Sequence, residues 1–233
     1  MKSNPAAGMK RVTEPRESEI VYCTPSERTE IIAKAKATKN TEWLAVPIAF
    51  YSGMRREEVA RLEWQDVRFT EGLLVVRITK TKKSQIIPIN AKLETLLKKI
   101  PTTKRIGYVV PIPDGIDRLW KMDNLLRTLQ SEKRTALWKG WNIPRPPPSK
   151  KESYKDDKAA WLLAKAEKDR ELESIVKRIG WNSFRHTFGS LLAQSGVSID
   201  KISAWMGNTP EVCRRHYAQF VPREKRDEEI DKL

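Results

Sequence analysis

Apolar positions recur at helical spacing along most of the chain, and one short interval alternates instead. Residues 1–23 are polar, carry Pro5, Gly8 and Pro15, and read as a linker or arm. Thr24, Pro25 and Glu27 then form a helix start: a capping hydroxyl, a proline at the first helical position and a glutamate three residues after the cap, ahead of Ile31, Ile32 and Ala35. Residues 42–51 (EWLAVPIAFY) are apolar enough for a buried helix, weakened in its first turns by Pro47 and broken by Ser52-Gly53. A further helix from about Arg55 to Leu62 turns Val59 and Leu62 inward.

Residues 73–89 change period. LLVVRIT and QIIPI are β-rich runs on either side of the polar TKTKKS, which predicts a hairpin. Asn90 caps a helix with Leu93, Leu96 and Leu97 on one face, and residues 117–138 form another helical stretch. NIPRPPPSKKES (142–153) predicts a stiff, extended connection, followed by a highly charged helix over about 155–178. In the last third, Asn182 or Ser183 starts a helix that turns Phe184, Phe188, Leu191 and Leu192 inward and ends at Gly196. Ser198 caps the next, with Ile199, Ile202 and Trp205 inward and Gly207 as its stop, and Thr209-Pro210 opens a third running toward Tyr217. No internal repeat is present. The pattern predicts one domain over residues 24–220, mainly α with a small antiparallel β-sheet, and a tail over residues 221–233.

Composition narrows the function. A chain of 233 residues can bury a substantial core. No apolar run approaches the ~20 residues of a membrane-spanning helix, and the N-terminus lacks the apolar segment of a secretory signal; a cytoplasmic, intracellular setting is expected, with no membrane partner. Two cysteines, Cys23 and Cys213, and two histidines make neither a disulfide framework nor a zinc knuckle, so no metal or other cofactor is expected. Lysine and arginine total 45 against 30 acidic residues, a formal charge of +15, which points to a polyanion: nucleic acid ahead of an anionic membrane. The excess is concentrated, with nine basic and one acidic residue over 76–105 and ten against three over 118–155.

Three segments carry candidate chemistry: SGMRREEVARLEWQDV with Arg55, the hairpin ITKTKKSQIIPI with Lys80, and NSFRHTFGSLLAQSGVSIDKISAWMGNTPEVCRRHY with Arg185 and Tyr217. Transfer at a DNA phosphodiester needs a nucleophile in line with the leaving oxygen, cations and donors on the non-bridging oxygens, and a proton for the leaving 5′ oxygen. Two arginines, a lysine and a tyrosine can supply these without metal. Each residue also has a plainer role open to it. Arg55 suits a helix surface, Lys80 a basic turn shared with Lys82 and Lys83, Arg185 an ion pair with Glu58, and Tyr217 a helix end. Asn182 suits a cap, Asn208 a turn after Gly207, Trp205 and His186 the interior, and Glu58 and Asp66 the orientation of arginines.

The order and local sequence of these segments resemble the tyrosine recombinases, or phage-type integrases. Ser52-Gly53-Met54-Arg55 with Glu58 matches that family's T-G-L-R-x-x-E, and Trp64-Gln65-Asp66 its W-x-D. The family's hairpin lysine lies eight residues before a proline, which from Pro88 is Lys80. Asn182 to Phe188 matches H-x-L-R-H-T-F, Met206 to Pro210 matches L-G-H-x-S, and the nucleophile position nine residues after that histidine position is Tyr217. Five motifs in order, over roughly residues 24–220, are far more specific than any one alone.

The resemblance implies the family's mainly helical catalytic-domain fold and DNA strand exchange through a 3′-phosphotyrosine link. Tyr217 would attack, Arg55 and Arg185 would clamp the phosphate, Asn182 and Asn208 would donate hydrogen bonds to it, and Lys80 would protonate the leaving oxygen. It implies double-stranded DNA as partner and a tetramer on DNA, with the tail 221–233 exchanged between protomers and a monomer or weak association without DNA. Residues 1–23 would be the linker after the family's N-terminal DNA-binding domain, which these residues do not contain. One departure stands out. Both positions where the family usually has histidine hold asparagine, Asn182 and Asn208, which can donate a hydrogen bond but cannot carry a proton near neutral pH. The chain's two histidines, His186 and His216, each lie one residue from a motif position. His216 is expected to point away from Tyr217, since adjacent helical residues do not share a face. A non-catalytic DNA-binding relative and a type IB topoisomerase are the alternatives.

Overall fold

In the computed structural model, residues 20–77, 84–140, 159, 162–163 and 179–222 are described, with residues 131–140 described by their backbone alone. Helix α1 (Pro25–Ala37) starts as the sequence predicts: Thr24 Oγ1 accepts from the Glu27 amide at 3.2 Å, and Glu27 Oε2 accepts from the Thr24 amide at 2.8 Å. The apolar run 42–51 splits into a single 3-10 turn (Thr41–Leu44) and helix α2 (Ala45–Ser52). Pro47 sits in the first turn of α2, where its missing N–H removes no helical bond. Every residue of α2 is buried. Gly53 ends it at φ 65°, a left-handed conformation that an L side chain resists. Helix α3 (Arg56–Arg61) follows at once, with Arg55 at its N-cap position.

Strands β1 (Val67–Arg68), β2 (Leu73–Arg77) and β3 (Ser84–Pro88) form an antiparallel sheet in chain order. The hairpin register runs from Leu73 opposite Pro88 to Arg77 opposite Ser84. Strand β1 has no counterpart in the sequence reading, because two paired residues carry too little alternation to be read. Helix α4 (Ala91–Lys98) starts with Asn90 Oδ1 accepting from the Lys92 amide at 2.9 Å and buries Leu93 and Leu97. Helix α5 runs over Arg118–Gly140. The predicted extended connection 142–153 lies outside the described residues, as does nearly all of the predicted charged helix 155–178, of which 159 and 162–163 are helical.

Helices α6 (Trp181–Gln194), α7 (Ile199–Met206) and α8 (Pro210–Tyr217) complete the described chain, with a closing 3-10 turn at Ala218–Phe220. Helix α6 begins at Trp181, ahead of both residues the sequence points to. Ser183 Oγ accepts from the Gly180 amide at 3.0 Å, so Asn182 stands inside the first turn rather than at its cap. Trp181 Nε1 donates to Asp123 at 2.9 Å, and the same carboxylate accepts from Arg56 at 2.6 Å, so α3, α5 and the start of α6 are tied together. Phe184 packs on Phe50 of α2 with ring centroids 4.2 Å apart. The main core joins α1 to α5, the sheet and the first turn of α6. A second cluster joins Ala193, Ile202, Met206, Cys213 and Tyr217 of the last three helices.

Candidate active site

The two arginines singled out by sequence, separated by 130 positions, meet on one oxygen. Arg55 reaches from the start of α3, where Glu58 Oε2 accepts from its amide at 2.7 Å and Glu58 Oε1 from Nη1 at 3.1 Å. That grip leaves Nη2 free to donate to Asn208 Oδ1 at 2.8 Å. Arg185 reaches the same oxygen from α6, its Nη2 donating at 2.9 Å. Its other bonds go to backbone carbonyls: Gly53 O from Nη1 at 2.5 Å, and Met206 O from Nη2.

Helix ends make this convergence. Gly53 and Gly207 each stop a helix in the left-handed conformation, and the turns that follow bring Gly53 O, Met206 O and Asn208 to one point. Gly207 also lies against Gln85 of β3, whose Nε2 donates to Trp205 O, so the hairpin is fastened to the end of α7. Trp205 itself is half-buried and packs on the main core, in line with the plainer of its two readings.

The electrostatics are unbalanced toward cation. Arg185 is 6% exposed, and its three acceptors are all neutral oxygens. Arg185 makes no ion pair with Glu58, the plainer role open to it, since Glu58 hydrogen-bonds Arg55 instead. Burial, with Arg55 adding repulsion, pushes the Arg185 guanidinium down to about 10, so it stays charged at neutral pH. Asn208 accepts from both arginines through its carbonyl. Its side chain also hydrogen-bonds Cys213, against the upward push of burial on that thiol.

Tyr217 ends α8 at 1% exposure, its ring seated on Gly189 of α6, where a Cβ would come within 2.6 Å of the ring. Burial raises its hydroxyl above the ordinary value, while Arg185 pulls the other way. Tyr217 Oη lies 3.0 Å from His186 Nδ1. The His216 ring is not turned away as expected: its centroid is 5.7 Å from that of His186 and 6.0 Å from that of Tyr217. Asn182 is exposed on the first turn of α6, three residues before Arg185 and therefore on the same side of the helix. Lys80 lies outside the described residues, between the paired ends Arg77 and Ser84 of the hairpin. Asp66 pairs with Arg77 at 2.8 Å, an arginine-orienting role as expected.

The geometry thus brings together Arg55, Arg185 and Asn208, with Tyr217 on α8 near enough for the Arg185 charge to act on its hydroxyl. It adds two neighbours that sequence reasoning did not assign to the site, His186 and Gln85. The signal for His186 was the spacing of His186, Gly189 and Ala193, one helical face that meets α8. Among the described residues no group of three or more His, Cys, Asp or Glu gathers as metal ligands do, and no helix is long and apolar enough to cross a membrane.

The architecture is that of tyrosine recombinase catalytic domains. The catalytic domain of bacteriophage HP1 integrase superposes with a TM-score of 0.55 at 20% identity, over 88% of this chain and 90% of that one. The Tn1549 transposon integrase in complex with transposon right end DNA superposes with a TM-score of 0.61 at 14% identity, over 95% of this chain and 69% of that one. A curated tyrosine recombinase from Pseudothermotoga lettingae is 22% identical over 212 residues, 91% of this chain and 60% of the relative. A shorter match, 46% identical over 60 residues, is to a putative integrase/recombinase of Sinorhizobium fredii and spans 26% of this chain and 19% of that relative. The family model for the phage integrase family matches residues 22–220, and the chain belongs to that family. It spans less than two thirds of the length of these curated relatives.

Proposed function

We propose that residues 24–220 are the catalytic domain of a site-specific DNA recombinase that cuts and rejoins strands through a 3′-phosphotyrosine intermediate. The observation that carries this reading is the meeting of Arg55 and Arg185, with no carboxylate on Arg185, on the single side-chain oxygen of Asn208. Two like charges held that close, one of them buried, favour an anion in their midst. A phosphate oxygen in the place of Asn208 Oδ1 would accept from both forks with full charge, where the amide offers only a dipole.

In this reading Arg55 and Arg185 hold the non-bridging oxygens as charge develops on them. Asn182 and Asn208 donate amide N–H groups, Asn208 by turning its side chain once phosphate replaces its carbonyl. Tyr217, buried at the end of α8, attacks phosphorus once its hydroxyl is uncovered. Lys80 protonates the 5′ oxygen; its support is the hairpin register on either side of it, with Pro88 opposite Leu73. The phosphotyrosine keeps the energy of the broken ester, so a 5′ hydroxyl can rejoin it without ATP. The protein acts inside the cell on double-stranded DNA, as a tetramer, with the tail 221–233 passed between protomers and residues 1–23 linking to a further DNA-binding domain.

A second reading, a DNA-binding relative without cleavage, is favoured by one observation: asparagine at both 182 and 208. A nicked suicide duplex separates the two. Its sequence is taken from those that the protein retains from a random duplex library. Wild-type protein should form a covalent adduct that resists denaturant, and Tyr217→Phe should lose the adduct while keeping its affinity for the duplex. Tight binding by the wild type with no adduct would establish the non-cleaving reading.

A further inference from the structure

Tyr217 cannot attack phosphorus efficiently while it holds its proton, so the site needs an acceptor within hydrogen-bond reach of Oη. The residues around the hydroxyl limit the choice. Asn182 and Asn208 have amide side chains, which take no proton in the working range. Asn208 is also occupied, by both arginines on its carbonyl and by the Cys213 thiol. Glu58 is spent on Arg55, with both carboxylate oxygens engaged. Among the described residues, the side chain that meets Oη is the imidazole of His186, with Nδ1 at 3.0 Å.

We propose that His186 is the proton acceptor for Tyr217 in strand cleavage and returns the proton in rejoining. The inference rests on the function proposed above. It specifies the tautomer: the Nδ1 lone pair faces Oη and Nε2 carries the hydrogen.

The local structure is built for that contact. His186, Gly189 and Ala193 lie along one face of α6, and that face packs on α8. Gly189 removes the side chain that would collide with the phenol ring, so the ring lies flat on the helix with its hydroxyl under His186. The groups facing the imidazole are Tyr217 and His216 of α8, with Arg185 preceding it on its own helix. Burial, His216 and Arg185 all favour the neutral ring, so the lone pair is present at neutral pH. A neutral imidazole is a poor match for a resting phenol. The balance changes as the bond to phosphorus forms, because a phenol oxygen that is becoming an ester oxygen gives up its proton readily. The phosphate brings negative charge that favours an imidazolium beside it.

The steps balance. In cleavage, a bond forms between Oη and phosphorus and the bond from phosphorus to the 5′ oxygen breaks. The Oη proton passes to His186 Nδ1, and the 5′ oxygen takes a proton from Lys80. In rejoining, the 5′ hydroxyl attacks phosphorus and gives its proton to the Lys80 amine, and Oη leaves with the proton held by His186.

The test uses the full chain and the nicked suicide duplex, following the rate of adduct formation and, separately, equilibrium affinity for the same duplex. A general base typically contributes about 100-fold or more, so His186→Gln, which keeps volume and a polar edge, should slow cleavage by about that factor at unchanged affinity. His186→Ala should be slow in the same way and should recover rate when free imidazole is added, which a structural histidine would not do. A His186→Gln rate within about threefold of wild type, well under what a general base contributes, overturns the inference and leaves the recombinase reading intact. A slow His186→Ala that imidazole does not restore also overturns it, and assigns the ring a packing role. A wild-type protein that forms no adduct at all removes the recombinase reading, and this inference with it.

Discussion

Burial holds the His186 imidazole at about 4, below its ordinary 6.5, with His216 and Arg185 pushing the same way. The unfolded chain takes up a proton near pH 6.5 that the folded chain refuses until about pH 4. Proton uptake in that window therefore favours unfolding: this contribution to stability is complete above pH 6.5 and is lost as pH falls toward 4. Thermal unfolding of wild type and His186→Gln at stepped pH should show a shallower fall for the variant, and parallel curves would contradict the burial of this ring. Among residues, the motif positions were legible because their order along the chain is so specific, and Arg55 and Arg185 meet on Asn208. What each atom does was not legible. Nothing in the spacing says that the Asn208 carbonyl would face both guanidinium groups, or that Glu58 would serve Arg55 and not Arg185. His186 was read as an interior residue, because a helix's own spacing does not reveal which helix lands on it.

At the scale of elements, α6 decides the site. One side carries Phe184 into the core, the first turn presents Asn182 and Arg185, and a third face receives α8 through His186 and Gly189. Gly189→Ala tests that contact. Alanine favours a helix by about 1 kcal/mol over glycine, but here its Cβ would sit 2.6–2.9 Å from atoms of the buried Tyr217 ring. Overpacking should win, lowering stability in urea unfolding by about 1–3 kcal/mol. A neutral or stabilised variant would show that the ring does not rest on α6. Helix starts were legible wherever a side chain caps them, as at Thr24, Asn90, Ser198 and Thr209. The start of α6 was misplaced because glycine holds its cap position and Ser183, within the first turn, supplies the bond. The hairpin was legible from its change of period, and the two-residue β1 was too short to show one.

The whole molecule carries a formal charge of +15, with basic residues gathered over 76–105, which includes the hairpin, and over 118–155, which begins with α5. If those charges lie along DNA phosphates, binding releases counterions and the affinity depends steeply on salt. Between about 50 and 200 mM salt it should fall by at least about tenfold, and a nearly flat response would argue against a phosphate-tracking surface. Fold class was legible at this scale because capped helices and one hairpin leave few architectures open. The packing of α8 under α6, which hides the tyrosine, follows from tertiary contacts that no local pattern encodes.

Strand cleavage as proposed leaves Tyr217 covalently joined to DNA. The most direct measurement is to digest the adduct formed on the nicked duplex and weigh the nucleotide-bearing peptide. That peptide should contain Tyr217 joined to a 3′ phosphate. A linkage to any other residue, a 5′ linkage, or tight binding with no linked peptide would contradict it.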